Sequence, residues 1–366
     1  PLGPLGAFGS AAGAAGAAGA PQQVTALRYL FGTEYVGAIG VGTTDGGSPQ
    51  AQLNVVYDTG SSDLWVGSDL CLGAPCDEKP RTRYNHSLSR SYRRPDKAFN
   101  FTTTYGSGVL AGELGYDDVR VGPLVSRGQA IGLISKEQGA AFSMLPLDGI
   151  VGLGFPGLAV DASLSLVEGL AAQGVLGARQ FAFYLHRDAS MGGGVLWGGV
   201  DRRLYTGELQ WFPVVEQMYW ALDLVAFQVG ERRWDFGGGA RAPGRAPGGA
   251  RAEPPQLILD SGTTFYTAEG EIYSAIMEAI RPMACMSIGS LPPIVYTFRD
   301  STGALQNITI PPEEYMVDGG GFEAGFCLPA VVRLATGERP TMIIGEVFMR
   351  NYFTVFSIGA AAGGGG

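Results

Sequence analysis

The sequence predicts a mainly β protein built as two similar lobes that each supply one matching group, and three observations carry that prediction. Glycine and proline, at 58 and 22 residues, punctuate short runs of Val, Ile, Leu, Phe and Tyr, a pattern of strands and turns rather than helices. At 366 residues the chain is long for one core and comfortable for two. The third observation is a device used twice, about 200 positions apart: Asp58-Thr59-Gly60-Ser61-Ser62 and Asp260-Ser261-Gly262-Thr263-Thr264.

Each copy follows an apolar run, Leu53-Asn54-Val55-Val56-Tyr57 in the first case and Gln256-Leu257-Ile258-Leu259 in the second. Each aspartate therefore belongs where a buried strand breaks into a tight turn. A lone Asp-Thr-Gly is an ordinary turn; two copies in two halves point to a pair of carboxylates that meet. Facing carboxylates cannot easily both ionise, so one proton is shared. That state offers a base for water and an acid for a carbonyl oxygen, which amide hydrolysis without metal or covalent nucleophile requires.

Composition closes off other classes. The net charge of −9 and the absence of a basic stripe argue against nucleic acid. No apolar run reaches the roughly 18 residues of a membrane span. The start lacks Met and a signal-like segment, as in a processed or recombinant form. With two histidines, neither beside a cysteine, a metal site has no donor set. The same shortage leaves His86 and His186 as poor partners for a serine nucleophile. Cys71, Cys76, Cys285 and Cys327 allow three pairings. Sequons at Asn85, Asn100 and Asn307, taken with the cysteines, lean toward an oxidising, secretory route. Gly152-Leu153-Gly154-Phe155-Pro156-Gly157 matches a dinucleotide fingerprint only formally, because Pro156-Gly157 stands where its helix would begin.

Several landmarks, in order, resemble the pepsin-like aspartic proteases across most of the chain. Ser61-Ser62-Asp63-Leu64-Trp65-Val66 extends the first Asp turn, with Asp63 where Asn is common in that family. Tyr105-Gly106-Ser107-Gly108 looks like its flap hairpin. Asp148-Gly149-Ile150-Val151-Gly152 and Met342-Ile343-Ile344-Gly345 look like the apolar-apolar-Gly strands behind each turn. The resemblance implies the bilobal pepsin-like fold, protein or peptide substrates, pepstatin-type inhibitors, no cofactor, and a monomer. It implies the pairs Cys71 with Cys76 and Cys285 with Cys327, and a secreted enzyme or one in an acidic compartment such as a lysosome, vacuole or secretory organelle. A serine in the second turn, an absent third disulfide and a Gly/Ala/Arg-rich insertion lean toward a protist member.

Taken in order, residues 1–20 form a chargeless Pro/Leu/Gly/Ala leader expected to be disordered and to build no core structure. Family zymogens carry a basic prosegment, whereas residues 1–33 hold a single basic residue, Arg28, as in a mature, unblocked form. Residues 21–199 form the first lobe. Within it the polar run 81–97 reads as solvated surface, residues 99–105 as a strand into a glycine-bearing lid, and residues 161–173 as a helix stopped by Gly174. Residues 200–358 form the second lobe, with residues 237–255 as a surface insertion and residues 269–283 as a helix. Beyond Phe356 the family would add a strand, and here Ala and Gly follow through 359–366, so that strand is missing or replaced.

The resemblance also assigns roles. Asp58 and Asp260 jointly hold the attacking water; Thr59 and Ser261 cross-link the turns; Ser61 and Thr263 bond the outer carboxylate oxygens, with Gly60 and Gly262 between. Tyr105, Gly106 and Ser107 belong to the lid, whose phenol bonds the Trp65 indole. Val56, Tyr105, Phe142, Ile150 and Ile258 are expected to line pockets for large apolar side chains. A non-catalytic peptide-binding relative is the alternative; such proteins change an Asp or Gly of the turns, and all four are intact here.

Overall fold

The computed structural model describes residues 6–11, 23–30, 34–76, 80–105, 108–139, 142, 147–161, 165–237, 255–320, 323–334 and 341–359. The chain is mainly strand, with a few short helices, in the two-lobed pepsin-like arrangement. Among the described residues, one sheet of thirteen strands starts at Gln210–Pro213 and runs through Gly6–Ala11, Tyr352–Ser357, Gln180–Leu185 and Gly193–Trp197. It continues through Gln23–Leu30 and Glu34–Val41 to Ala51–Asp58, and ends at the hairpin of Asn100–Tyr105 with Gly108–Val121. A second sheet holds Leu305–Ile310, Ile294–Arg299, Ala221–Val229, Gln256–Leu259 and Thr341–Ile344.

The strands that carry the two aspartates are built alike. Ala51–Asp58 runs parallel to Gly149–Gly152, with Val56 opposite Ile150 and Asp58 opposite Gly152. Gln256–Leu259 runs parallel to Thr341–Ile344, with Ile258 opposite Ile343. Parallel strands covered on both faces need apolar side chains at consecutive positions, and Val55 to Tyr57 and Leu257 to Leu259 are all buried. Each turn is then tied to the strand behind it: the Leu153 N–H donates to the Asp58 carbonyl at 2.7 Å, and the Asp260 N–H to the Ile344 carbonyl at 3.0 Å. The glycines of those rear strands are dictated by close approach. A Cβ on Gly152 would lie 2.4 Å from the Ser62 carbonyl carbon, and one on Gly345 would lie 2.1 Å from the Thr263 carbonyl oxygen.

Aromatic side chains seal the floor between the halves. Phe181 stacks on Phe356 at 5.0 Å, Trp220 meets Phe356 edge-on at 5.0 Å, and Phe155 lies 4.4 Å from Trp220. Such pairs contribute about 0.5–1.5 kcal/mol each beyond the area they bury. The disulfides are Cys71–Cys76 and Cys285–Cys327, the pairing the resemblance implied.

The structure corrects several expectations. The leader is not wholly without core structure: Gly6–Ala11 is a strand running parallel to both Gln210–Pro213 and Tyr352–Ser357. Strand pairing uses backbone N–H and C=O groups, which a Gly/Ala segment has in full, and two facing strand edges need such partners. Beside Tyr352–Ser357, where the sequence left a strand missing or replaced, this segment stands. The remaining leader residues, the tail 360–366 and the insertion 238–254 lie outside the described residues. The helix expected at 161–173 is Leu166–Ala172, because the Ser165 hydroxyl caps its N-terminus by accepting from the Glu168 N–H. Gly174 ends it with φ +67°. The helix expected at 269–283 is Gly270–Ala279 and stops short of Arg281-Pro282, since the residue before a proline avoids helical geometry. Pro156–Leu158 is a single 3₁₀ turn, with no helix for a nucleotide. The polar run 81–97 is not all solvated: Tyr84 is fully buried, and the Arg81 side chain is 5% exposed because it pairs with the buried carboxylate of Glu137.

Candidate active site

The two Asp turns meet and are near copies of each other. The Gly60 N–H donates to Asp58 Oδ1 at 2.8 Å and the Ser61 hydroxyl donates to Asp58 Oδ2. The Gly262 N–H donates to Asp260 Oδ1 at 2.8 Å and the Thr263 hydroxyl to Asp260 Oδ2 at 2.6 Å. Each glycine lies under the other aspartate. A Cβ on Gly60 would stand 2.6 Å from Asp260 Cγ, and one on Gly262 would stand 2.4 Å from Asp58 Oδ1. Gly60→Ala is therefore expected to push Asp260 out of line and lower kcat by about 100-fold or more, with KM little changed, in steady-state cleavage assays.

Thr59 and Ser261 cross-link the turns beneath the carboxyls. The Thr59 N–H donates to Ser261 Oγ at 3.0 Å and the Ser261 N–H to Thr59 Oγ1 at 2.9 Å. The two hydroxyls donate onward, Thr59 Oγ1 to the Leu259 carbonyl at 2.9 Å and Ser261 Oγ to the Tyr57 carbonyl at 2.6 Å. Every group in this lattice is buried, so losing one hydroxyl strands its partners. Thr59→Val leaves the Ser261 N–H and the Leu259 carbonyl unpaired and is expected to cost about 2–4 kcal/mol in urea unfolding. Ser261→Thr keeps the hydroxyl and is the control that should remain close to the parent.

Asp58 is buried and hydrogen-bonds Asp260, and burial first, then the facing carboxyl, push its pKa up. Ser61 and the Gly60 N–H pull the other way and do not cancel it. Two carboxyls facing each other in this way favour one proton shared across the pair. Above the pair, the Trp65 indole donates to the Tyr105 hydroxyl at 2.9 Å. Gly106 and Ser107, assigned to the lid tip, lie outside the described residues.

Of the pocket candidates, Val56, Trp65, Phe142 and Ile150 pack in one buried cluster, with Tyr105 against it. Phe142 meets the Trp65 ring edge-on at 6.1 Å and the Tyr105 ring at 6.4 Å. Ile258 is buried in the strand that leads into Asp260 and lies outside that cluster. Asn100 and Asn307 are exposed, while Asn85 is half-buried and caps a 3₁₀ turn by accepting from the Ser87 N–H.

Sequence reasoning missed three groups around the dyad. Burial, then Asp58 and Asp260, push the Glu34 carboxyl up to about 8. Tyr219 is raised by burial and by the same two aspartates. Glu346, 1% exposed, accepts from the Tyr35 N–H at 3.0 Å, and the Arg350 guanidinium lies 4.7 Å over the Tyr29 ring and 5.6 Å over that of Tyr35. The Glu34 signal was a charge set at the start of an otherwise apolar strand. Glu346 and Arg350, at i and i+4, were hidden in what read as a strand ending. Among the described residues no cluster of His, Cys, Asp or Glu is arranged to hold a metal.

The sequence matches the eukaryotic aspartyl protease family over residues 34–363. Gastricsin of Homo sapiens is 32% identical over 335 residues, covering 89% of this chain and 79% of the human protein. Gastricsin of Mus musculus is 32% identical over 340 residues, covering 89% and 78%. Gastricsin of Cavia porcellus is 30% identical over 341 residues, covering 88% and 77%.

Proposed function

The chain belongs to the eukaryotic aspartyl protease family and is an aspartic-type endopeptidase, and on that premise we propose that Asp58 and Asp260 are its catalytic pair, working at acidic pH. The single observation that supports this best is the matched pair of turns, each carboxyl held by one N–H and one hydroxyl and each glycine making room for the other's aspartate.

In this reading a water lies between the carboxyls. One carboxyl takes its proton as the oxygen attacks the peptide carbonyl carbon, and the other gives its own proton to the carbonyl oxygen. The product is a neutral gem-diol, with neither aspartate covalently attached. One diol proton then returns to the carboxyl that gave its proton, the proton taken from water passes to the leaving nitrogen, and the C–N bond breaks. The dyad is left with the one proton it began with. The Tyr105 lid excludes water and adds backbone hydrogen bonds along the peptide, like an extra strand. Val56, Tyr105, Phe142, Ile150 and Ile258 favour large apolar side chains beside the scissile bond.

Both carboxylates come from one chain, which supports action as a monomer, with lobes at about residues 21–199 and 200–358. Two disulfides and the exposed sequons at Asn100 and Asn307 support a glycosylated protein of the secretory route. Among the described residues no helix is long and apolar enough to cross a membrane.

The test is cleavage of an unfolded protein substrate from pH 2 to 8, with and without a pepstatin-type inhibitor. The expected result is an acid optimum that the inhibitor removes. A profile centred above neutrality, or activity indifferent to the inhibitor, would sink the assignment.

A further inference from the structure

We propose that Arg81, through its buried pair with Glu137, is a positioning residue that fixes the segment carrying Phe142 and so sets the preference for bulky side chains beneath the lid. The inference rests on the protease reading above and goes beyond it. Arg81 Nη1 and Nη2 lie 2.5 and 3.1 Å from the two Glu137 oxygens, a bidentate pair whose side chains are 5% and 0% exposed. The same guanidinium donates from Nε to the Leu147 carbonyl at 2.7 Å, from Nη2 to that carbonyl again, and from Nη1 to the Phe142 carbonyl at 3.5 Å. One planar fork thus holds backbone groups at both ends of residues 142–147.

Arg81 is itself well anchored. The next N–H, that of Thr82, donates to Asp148 Oδ1 at 2.7 Å, and Asp148 Oδ2 accepts from the Asn54 N–H at 2.7 Å. The clamp therefore refers the position of Phe142 to the strand that carries Asp58. Phe142 is where the clamp reaches the lid. Its ring packs against Trp65 and Tyr105, and against Gly108, where a Cβ would come within 2.9 Å of it. A shift of this segment moves the wall that Tyr105 closes onto.

The chemistry of the pair points the same way. A buried ion pair is a weak source of stability, because apolar residues of similar volume do as well or better. What this one supplies, and an apolar pair does not, is direction: donors aimed at the Phe142 and Leu147 carbonyls. Burial raises the Glu137 carboxyl pKa and Arg81 opposes it, so Glu137 alone would be a stranded group, and the variant must remove both.

The test is the double variant Arg81→Met/Glu137→Leu on two peptides that differ only in Phe against Ala beside the scissile bond. The expected result is a loss of about tenfold in kcat/KM on the Phe peptide, carried by KM, against about twofold or less on the Ala peptide. Its thermal midpoint should stay within a few degrees of the parent. An unchanged Phe-over-Ala ratio, or an equal loss on both peptides, overturns the proposal. If the double variant does not fold, Arg81→Lys, which keeps the charge and loses the fork, is held to the same ratio. Calorimetric binding of the two peptides in the Asp58→Asn background gives a readout that needs no cleavage. Discrimination there with Arg81 and gone without it sustains the clamp even in a chain that cleaves nothing, whereas discrimination that survives its removal refutes it.

Discussion

Asp58→Asn is expected to lower cleavage of an unfolded protein by at least about 1,000-fold, and Asp260→Asn by a similar factor. Each substitution keeps an oxygen that accepts from the Gly60 or Gly262 N–H, so the turns should hold. What disappears is the shared proton, because an amide neither donates to the carbonyl oxygen nor accepts from water. Groups that act as a unit lose their effect together, so the double variant should be little slower than either single one. The check is kcat at the acid optimum, alongside circular dichroism to show that each variant is folded. A single variant that retains a tenth of the parent activity would remove that aspartate from the mechanism.

Stability is expected to fall by several kcal/mol as pH rises from 4 to 8. Burial is the first cause of a raised pKa at Glu34, lifted to about 8, at Glu314, to about 7, and at Asp63, to about 6; Asp58 is shifted in the same direction. A carboxyl whose folded pKa exceeds its unfolded value keeps its proton on folding, so the folded chain binds more protons than the unfolded one. Its contribution is complete below about pH 4 and is lost as pH climbs through about 6 to 8. A tenfold change in proton affinity is worth ~1.4 kcal/mol. After a discount for solvent screening at the half-buried Glu314, the set amounts to on the order of 5 kcal/mol. Urea midpoints at pH 4, 6 and 8 measure it, and a flat profile would contradict the burial of these groups. Asp63→Asn isolates one contributor: the Asp63 carboxyl accepts from the Val160 N–H at 2.9 Å, which an amide oxygen also does. That variant should gain about 1–2 kcal/mol at pH 7 and nothing at pH 4. The sign suits the acid working pH proposed above, at which these buried carboxyls stay protonated and neutral.

Much of the site was legible because it is written locally. An apolar run, an aspartate and a glycine in sequence specify a strand, a carboxyl and the space beside it, and the second copy specifies the partner. Trp65 and Tyr105 could be paired because the family motifs that carry them are short and ordered. Arg81 was not legible in that way. It stands among charged neighbours that face water, and the carboxylate that draws it inside is 56 positions away. Glu34 looked like an ordinary strand-end charge, and only the approach of two aspartates from different halves gives it its environment. The strand Gly6–Ala11 lies in a low-complexity stretch, and what gives it its place is backbone pairing with strands hundreds of positions away.

That strand also orders events in time. Gly6 pairs with Tyr352 and Ala11 with Ser357, while Phe8 is also matched to Gln210. Contacts so distant along the chain are the slowest to form, because the intervening loop must close before they return any energy. Residues near position 10 are thus among the last to be paired. Until the edges at Gln210–Pro213 and Tyr352–Ser357 exist they have nothing to join, and the strands of the two halves must form before them.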